Sequence, residues 1–221
     1  MATLITGANR GIGHALAVAE ARAGRSVIGT HRGAPPATAQ VTWQPLDLTD
    51  PEAPAAMAAR LGPQPVELLV CNAGIYPDKG QALDTGYAAA LWTETFAVNV
   101  TGVFLTVQAL LPHLARAQAP KLAIIASQMG SSERARGGGG YIYRASKAAV
   151  INLGRNLAVD LAPRGIAVGI YHPGWVRTDM GGADGDIDTD TAVAGLRRCF
   201  DRLSLASTGC FLSYDGTPHP F

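Results

Sequence analysis

Short apolar runs alternate along the whole chain with longer stretches in which apolar residues recur every three or four positions. The short runs predict strands at residues 2–6, 26–31, 41–44, 66–71, 121–127, 166–171 and 210–213. The periodic stretches predict helices at 12–23, 52–61, 86–111, 143–161 and 191–203. Leu68-Leu69-Val70 and Ala123-Ile124-Ile125-Ala126 show no polar alternation, so both faces of those strands are expected to be buried under helices. Strand–helix alternation of this kind implies right-handed crossovers and a doubly wound α/β sheet of seven mostly parallel strands. Asp50 and Pro51 read as an N-cap and a first-turn proline, and Pro163 and Gly165 stop the helix that ends at Leu161. No repeat or Pro/Ser-rich linker divides residues 1–221, and the four glycines at 137–140 are too few to separate domains.

Composition narrows the function classes. A chain of 221 residues buries about 70% of its unfolded surface and needs no disulfide or metal staple. With 48% hydrophobic and 16% charged residues, it has no long disordered tail. Eighteen basic against seventeen acidic residues leave a net charge of +1, which argues against nonspecific nucleic-acid binding. Cys71, Cys199 and Cys210 have no C-x-x-C spacing and read as buried apolar residues in a reducing compartment. The five histidines lack metal-ligand spacing, so no metal is expected. No uninterrupted apolar run approaches the roughly 18–20 residues of a membrane span, and no signal-peptide pattern opens the sequence. The expectation is a cytoplasmic protein with neither a membrane nor a nucleic-acid partner.

The first strand runs into Thr6-Gly7-Ala8-Asn9-Arg10-Gly11-Ile12-Gly13 and then a helix. Glycines there let the backbone turn sharply and approach a pyrophosphate, which sits on the free N–H groups and positive dipole of the helix N-terminus. Position makes this a nucleotide site: first strand, first turn, helix start, second strand about a dozen residues on.

The G-x-x-x-G-x-G spacing resembles that of the short-chain dehydrogenase/reductase family, and the resemblance covers nearly the whole chain. It is carried by TGANRGIG (6–13), LDL (46–48), CNAG (71–74), NVTG (99–102), IIAS (124–127), YRASK (143–147) and PGWVRTDM (173–180). It implies a Rossmann-type fold binding NAD(P), with Gly7, Asn9, Arg10, Gly11, Ile12 and Gly13 around the phosphates. Asp47 with Leu48 corresponds to the adenine contact, and Asn72-Ala73-Gly74 to the segment beside the adenine ribose. Pro173-Gly174, Val176 and Thr178 correspond to the nicotinamide end, together with Tyr143 and Lys147. The second strand ends Gly29-Thr30-His31-Arg32 without the carboxylate that bonds ribose hydroxyls in NAD sites. Arg32, flanked by Arg10, suits a 2′-phosphate, so NADP(H) is expected over NAD(H).

Tyr143 and Lys147 stand four apart, on one helix face. A phenol titrates near ~10 unless something perturbs it. A neighbouring ammonium favours phenolate and makes the hydroxyl a usable acid–base. Ser127 ends the fifth strand at the carboxyl edge, where its hydroxyl can bond a substrate oxygen; Ser131 and Ser132 are rivals. Tyr141 is excluded as the acid because position 145 is Ala. Asn99 is a polar residue in an otherwise apolar helix, and the family's reading is a local helix distortion that holds a water against the lysine. The resemblance therefore implies a tetrad of Asn99, Ser127, Tyr143 and Lys147. Sixteen residues separate Ser127 from Tyr143, a few more than is common in the family, and residues 131–140 absorb the excess. That insertion, YRASK and the C-terminal FLSYDG resemble the small sniffer- and C-signal-like carbonyl reductases. The implied activity is NADPH-dependent reduction of a small carbonyl. Alcohol oxidation and a non-catalytic nucleotide sensor are the alternatives, and a homodimer or homotetramer is a possible assembly. A substrate loop is expected over about 175–195. Tyr76, Met129, Trp175 and Met180 are candidate apolar walls, and His172 reads as a satisfied strand-end histidine.

Overall fold

Leu4 and Ile5 are neighbours on the first strand, yet each is fully buried in a different hydrophobic core. The computed structural model describes residues 2–221. Its strands are β1 (Ala2–Ile5), β2 (Ser26–His31), β3 (Val41–Pro45), β4 (Leu68–Cys71), β5 (Lys121–Ile125), β6 (Ala167–His172) and β7 (Cys210–Ser213). They form one sheet in the order β3-β2-β1-β4-β5-β6-β7, with every pairing parallel. Side chains alternate across a strand, so Leu69 and Ile124 join the core of Leu4, while Val70 and Ile125 join that of Ile5.

The helices are α1 (Gly11–Arg22), α2 (Ala53–Leu61), α3 (Ala89–Phe96), α4 (Gly102–Leu114), α5 (Tyr141–Leu161) and α6 (Thr189–Arg202). Met57 of α2, Leu110 of α4 and Val150 of α5 pack on one face of the sheet. Leu16 of α1 and Leu196 and Phe200 of α6 pack on the other. Each fully buried side chain of this kind contributes about 1.5–3 kcal/mol.

Several boundaries differ from the sequence reading for local reasons. The helix expected at 86–111 starts at Ala89, after Tyr87 takes a left-handed φ of 65°, and is interrupted by a π-helical turn at Ala97–Thr101. Pro54, not Pro51, is the first-turn proline of α2, and Asp50 instead accepts from the Glu52 N–H (2.9 Å) in the preceding turn. Asp188 caps α6 by accepting from the Thr191 N–H (2.8 Å), so residues 189–195 of the expected substrate loop are helical. The run Ala89–Leu114 is, by length and mean hydropathy of 1.5, long and apolar enough to cross a membrane. Its polar Thr, Asn, Gln and His residues hide this from a search for uninterrupted apolar runs. In the fold, Val103, Val107, Leu110 and Leu114 of that run belong to the sheet's core.

Candidate active site

The strand order reverses direction between β1 and β4, which opens a crevice at their carboxyl ends. Thr6 ties the two strand ends together: its hydroxyl accepts from the Asn72 and Ala73 N–H groups (3.0 and 3.1 Å). Asn72 Nδ2 donates to the Thr6 and Gly7 carbonyls (3.0 and 3.1 Å). Gly7 turns with a φ of 63°, and a Cβ there would stand 2.8 Å from Ala73 Cα. A Cβ on Gly13 would meet Asn72 Nδ2 and the Gly7 carbonyl oxygen, both at 2.4 Å. No side chain caps α1, so the free N–H groups of its first turn face the crevice mouth.

The resulting groove, about 210 Å³, is lined by Gly7, Asn9, Arg10, Gly11, Ile12, Gly13, Arg32, Asp47, Leu48, Asn72, Ala73, Gly74 and Thr178. Ile75, Val98, Asp179 and Met180 also line it, and the sequence reading assigned none of these to the groove. Arg10 Nη1 lies 3.2 Å from Asp179 across the groove mouth. An ion pair so exposed is worth at most ~1 kcal/mol, so Asp179 holds Arg10 only weakly. The Asp47 carboxylate accepts from the Thr49 N–H (3.0 Å) and hydroxyl (2.8 Å). Those bonds, with the Arg32 charge, hold its pKa below the usual carboxylate range. A glycine turn, uncapped helix N–H groups and two arginines at one mouth fit a phosphorylated dinucleotide.

A second cavity, about 300 Å³, adjoins the groove and shares Ile12, Thr178 and Met180 with it. Ser127, Tyr143, Pro173, Gly174 and Val176 line it, as do Tyr76, Met129 and Trp175. His172 lies in the same wall, but it is not satisfied: its buried Nδ1 has no partner. Burial, with the charges of His219 and Arg134, pushes its pKa down to about 4, so it stays neutral.

Gly130 brings the segment after Ser127 against α5, where a Cβ would stand 2.5 Å from the Lys147 carbonyl carbon. Ser127 Oγ accepts from the Met129 N–H (3.2 Å). Lys147 is buried, donates to the Ile125 carbonyl (3.0 Å), and holds Nζ 5.6 Å from the centre of the Tyr143 ring. Burial pushes the Tyr143 phenol up to about 12, with the Ser127 hydroxyl pulling it partly back. Burial pulls Lys147 down to about 8. Burial thus opposes the phenolate that the neighbouring lysine is expected to favour, and the phenol stays protonated beside an ammonium at neutral pH. Asn99 sits in the π-helical turn, as the distortion reading requires. Its amide bonds the Ile75 N–H (2.9 Å), the Ile75 carbonyl (3.0 Å) and Ser146 Oγ (3.0 Å) rather than reaching Lys147. Ser131 instead donates to the Phe221 carbonyl (3.2 Å), and Tyr141 is exposed against Tyr87.

Two residues complete the site, one unmarked in the sequence and one with a larger part than the sequence suggests. Asp78 is fully buried and accepts from the Ile142 N–H (2.8 Å) and the Tyr143 N–H (3.3 Å), anchoring the start of α5. Tyr76, read only as a wall, stacks on Tyr143 with ring centres 4.1 Å apart.

A dinucleotide groove at the sheet's switch point, continuous with a cavity walled by a tyrosine and a serine, with a buried lysine beside the tyrosine ring, defines a nucleotide-dependent oxidoreductase. The chain matches the short chain dehydrogenase family over residues 1–187 and belongs to it; it is an NAD(P)-dependent dehydrogenase/reductase. It is 36% identical over 166 residues to the C-signal of Myxococcus xanthus, covering 75% of this chain and 99% of that one. The crystal structure of an NADPH-bound carbonyl reductase from chicken fatty liver superposes with a TM-score of 0.90 at 30% identity, covering 100% and 98% of the two chains. The carbonyl reductase Sniffer of D. melanogaster superposes with a TM-score of 0.91 at 28% identity, covering 100% and 99%.

Proposed function

We propose that this protein reduces a small aldehyde or ketone to the alcohol with NADPH. One observation carries the proposal. Tyr143, kept protonated by burial, faces a small cavity that opens from the dinucleotide groove, with Lys147 behind it. When bound, NADPH supplies a hydride to the carbonyl carbon and leaves as NADP⁺. The chain's own residues handle the oxygen. Ser127 donates a hydrogen bond to it, Tyr143 gives up its phenolic proton to the developing alkoxide, and Lys147 offsets the charge left on the phenolate. Asn99 holds the segment after β4 against α5 through Ile75 and Ser146. One hydride and one proton are added across C=O; the phenolate is reprotonated from solvent.

Preference for NADPH rests on Arg32 and Arg10 at the groove mouth and on the missing carboxylate at the end of β2. The NADPH held by the chicken carbonyl reductase supports it. Arg32→Asp is expected to weaken NADPH binding by about 1.5–3 kcal/mol, through lost charge-assisted bonds, and to leave NADH nearly unaffected. Fluorescence titration of the two cofactors checks this, and equal losses contradict the 2′-phosphate contact.

The rate of reduction also has a defined pH dependence. The lowered pKa of Lys147, about 8, keeps its charge present below that pH and loses it above. Carbonyl reduction is therefore expected to hold level through neutral pH and to decline above about 8. A profile that rises through that range contradicts a role for the ammonium.

NADPH oxidation with a panel of aldehydes, ketones and quinones tests the reading itself. Turnover of at least one carbonyl is expected. Tight NADPH binding without any turnover favours the signalling alternative, to which the likeness to C-signal points.

A further inference from the structure

Beyond the substrate cavity, away from the dinucleotide groove, lies a third cavity of about 480 Å³ lined by Gln128, Met129, Arg134, Arg136 and Arg144. Gln128 and Met129 also wall the substrate cavity, so the two spaces share a boundary. In a chain with 18 basic and 17 acidic residues, three arginines around one space are a local excess of charge. Among the described residues none of the three pairs with a carboxylate, including that of Glu133 in the same loop. Arg134 Nη1 donates to Gln128 Oε1 (3.2 Å) and Arg144 Nε donates to the Gly139 carbonyl (3.0 Å). Both bonds are to neutral acceptors. They aim the side chains without neutralising them.

The field of these arginines reaches the substrate cavity. Arg144 follows Tyr143 directly on α5 and acts on the Tyr76 phenol against the stronger, opposite effect of Asp78, and Arg134 acts on the His172 ring against Asp215. Tyr76 and His172 are both walls of the substrate cavity. An unpaired guanidinium fork recognises a carboxylate or phosphate through two parallel charge-assisted bonds. The extra residues at 131–140, which part Ser127 from Tyr143, are the segment that brings in Arg134 and Arg136.

We infer that the carbonyl substrate carries an anionic group, a carboxylate or a phosphate, at the end remote from its carbonyl, and that Arg134, Arg136 and Arg144 bind that group while Tyr143 faces the carbonyl oxygen. The inference rests on the carbonyl-reductase reading and deepens it by naming a substrate class.

The test is a series of ω-oxo carboxylic acids of increasing chain length, each assayed with NADPH beside its neutral methyl ester; matching ω-oxo alkyl phosphates distinguish the two anions. Wild-type protein is expected to prefer the anion over the ester in kcat/KM by about 10- to 100-fold at the best chain length, the range that charged hydrogen bonds supply. The double variant Arg134→Gln/Arg136→Gln, which keeps Arg144 beside Tyr143, is expected to lose that preference and still reduce the ester, which also shows that it folds. Equal use of acid, phosphate and ester at every length overturns the anionic-substrate inference alone, and a preference that survives in the double variant overturns the assignment of that group to Arg134 and Arg136. Absence of turnover with all three, despite NADPH binding, overturns the reductase reading and this inference together.

Discussion

Tyr143→Phe is expected to cut carbonyl reduction by roughly 10²–10⁴-fold, the contribution of a positioned general acid, and to leave NADPH affinity intact. The variant removes one oxygen and keeps the ring. The stack on Tyr76, with centres 4.1 Å apart, and the burial of α5's first turn against Asp78 both survive. The loss should therefore fall on kcat, with thermal stability close to wild type. Steady-state kinetics beside a cofactor titration separate the two effects. An unchanged kcat removes Tyr143 from the mechanism.

The second large effect is expected at the turn, where Gly13→Ala puts a methyl group 2.4 Å from both Asn72 Nδ2 and the Gly7 carbonyl oxygen. Neither atom can yield freely. The Asn72 amide joins the Thr6 and Gly7 carbonyls, and the Gly7 N–H is held by Thr30 Oγ1 (3.0 Å). Relief requires the turn to open, at an overpacking cost of about 1–3 kcal/mol. The groove that Gly7, Gly11 and Asn72 line opens with it, so NADPH binding should weaken by more than the loss from Arg32→Asp. Denaturant unfolding and cofactor titration measure the two consequences. A variant as stable and as tight-binding as wild type contradicts the packing described at this turn.

The parts of the site legible in the sequence are those whose partners lie close along the chain. The glycine turn is one contiguous segment, and Tyr143 and Lys147 are one helical turn apart. Asn99 is a polar residue in a largely apolar helix, the family resemblance implies a helix distortion there, and the structure has a π-helical turn at that place. Fully apolar runs such as Leu68-Leu69-Val70 carried the parallel sheet, since only strands covered on both faces dispense with polar alternation.

What stayed hidden depends on residues far apart. Asp78 meets Ile142 across 64 positions of sequence, and nothing local marks a lone aspartate in a loop as a helix anchor. A similar distance concealed the stacking of Tyr76 on Tyr143. Arg134, Arg136 and Arg144 are close along the chain, and it is the path of the loop before α5 that gathers them around one cavity. Protonation states were hidden for another reason. Spacing alone gives Lys147 as the neighbour of Tyr143, whereas the sign of the phenol's shift is decided by how deeply both are buried. His172 was misread on the same account, because a strand end is normally wet and this one closes a cavity wall with its Nδ1 unpartnered.

Mass spectrometry of the alcohol formed from NADPH carrying deuterium at the transferable position tests the central claim most directly. One deuterium on the former carbonyl carbon, in product made by wild-type protein and almost none by Tyr143→Phe, is the predicted result. Unlabelled alcohol, or equal labelled product from both proteins, contradicts it.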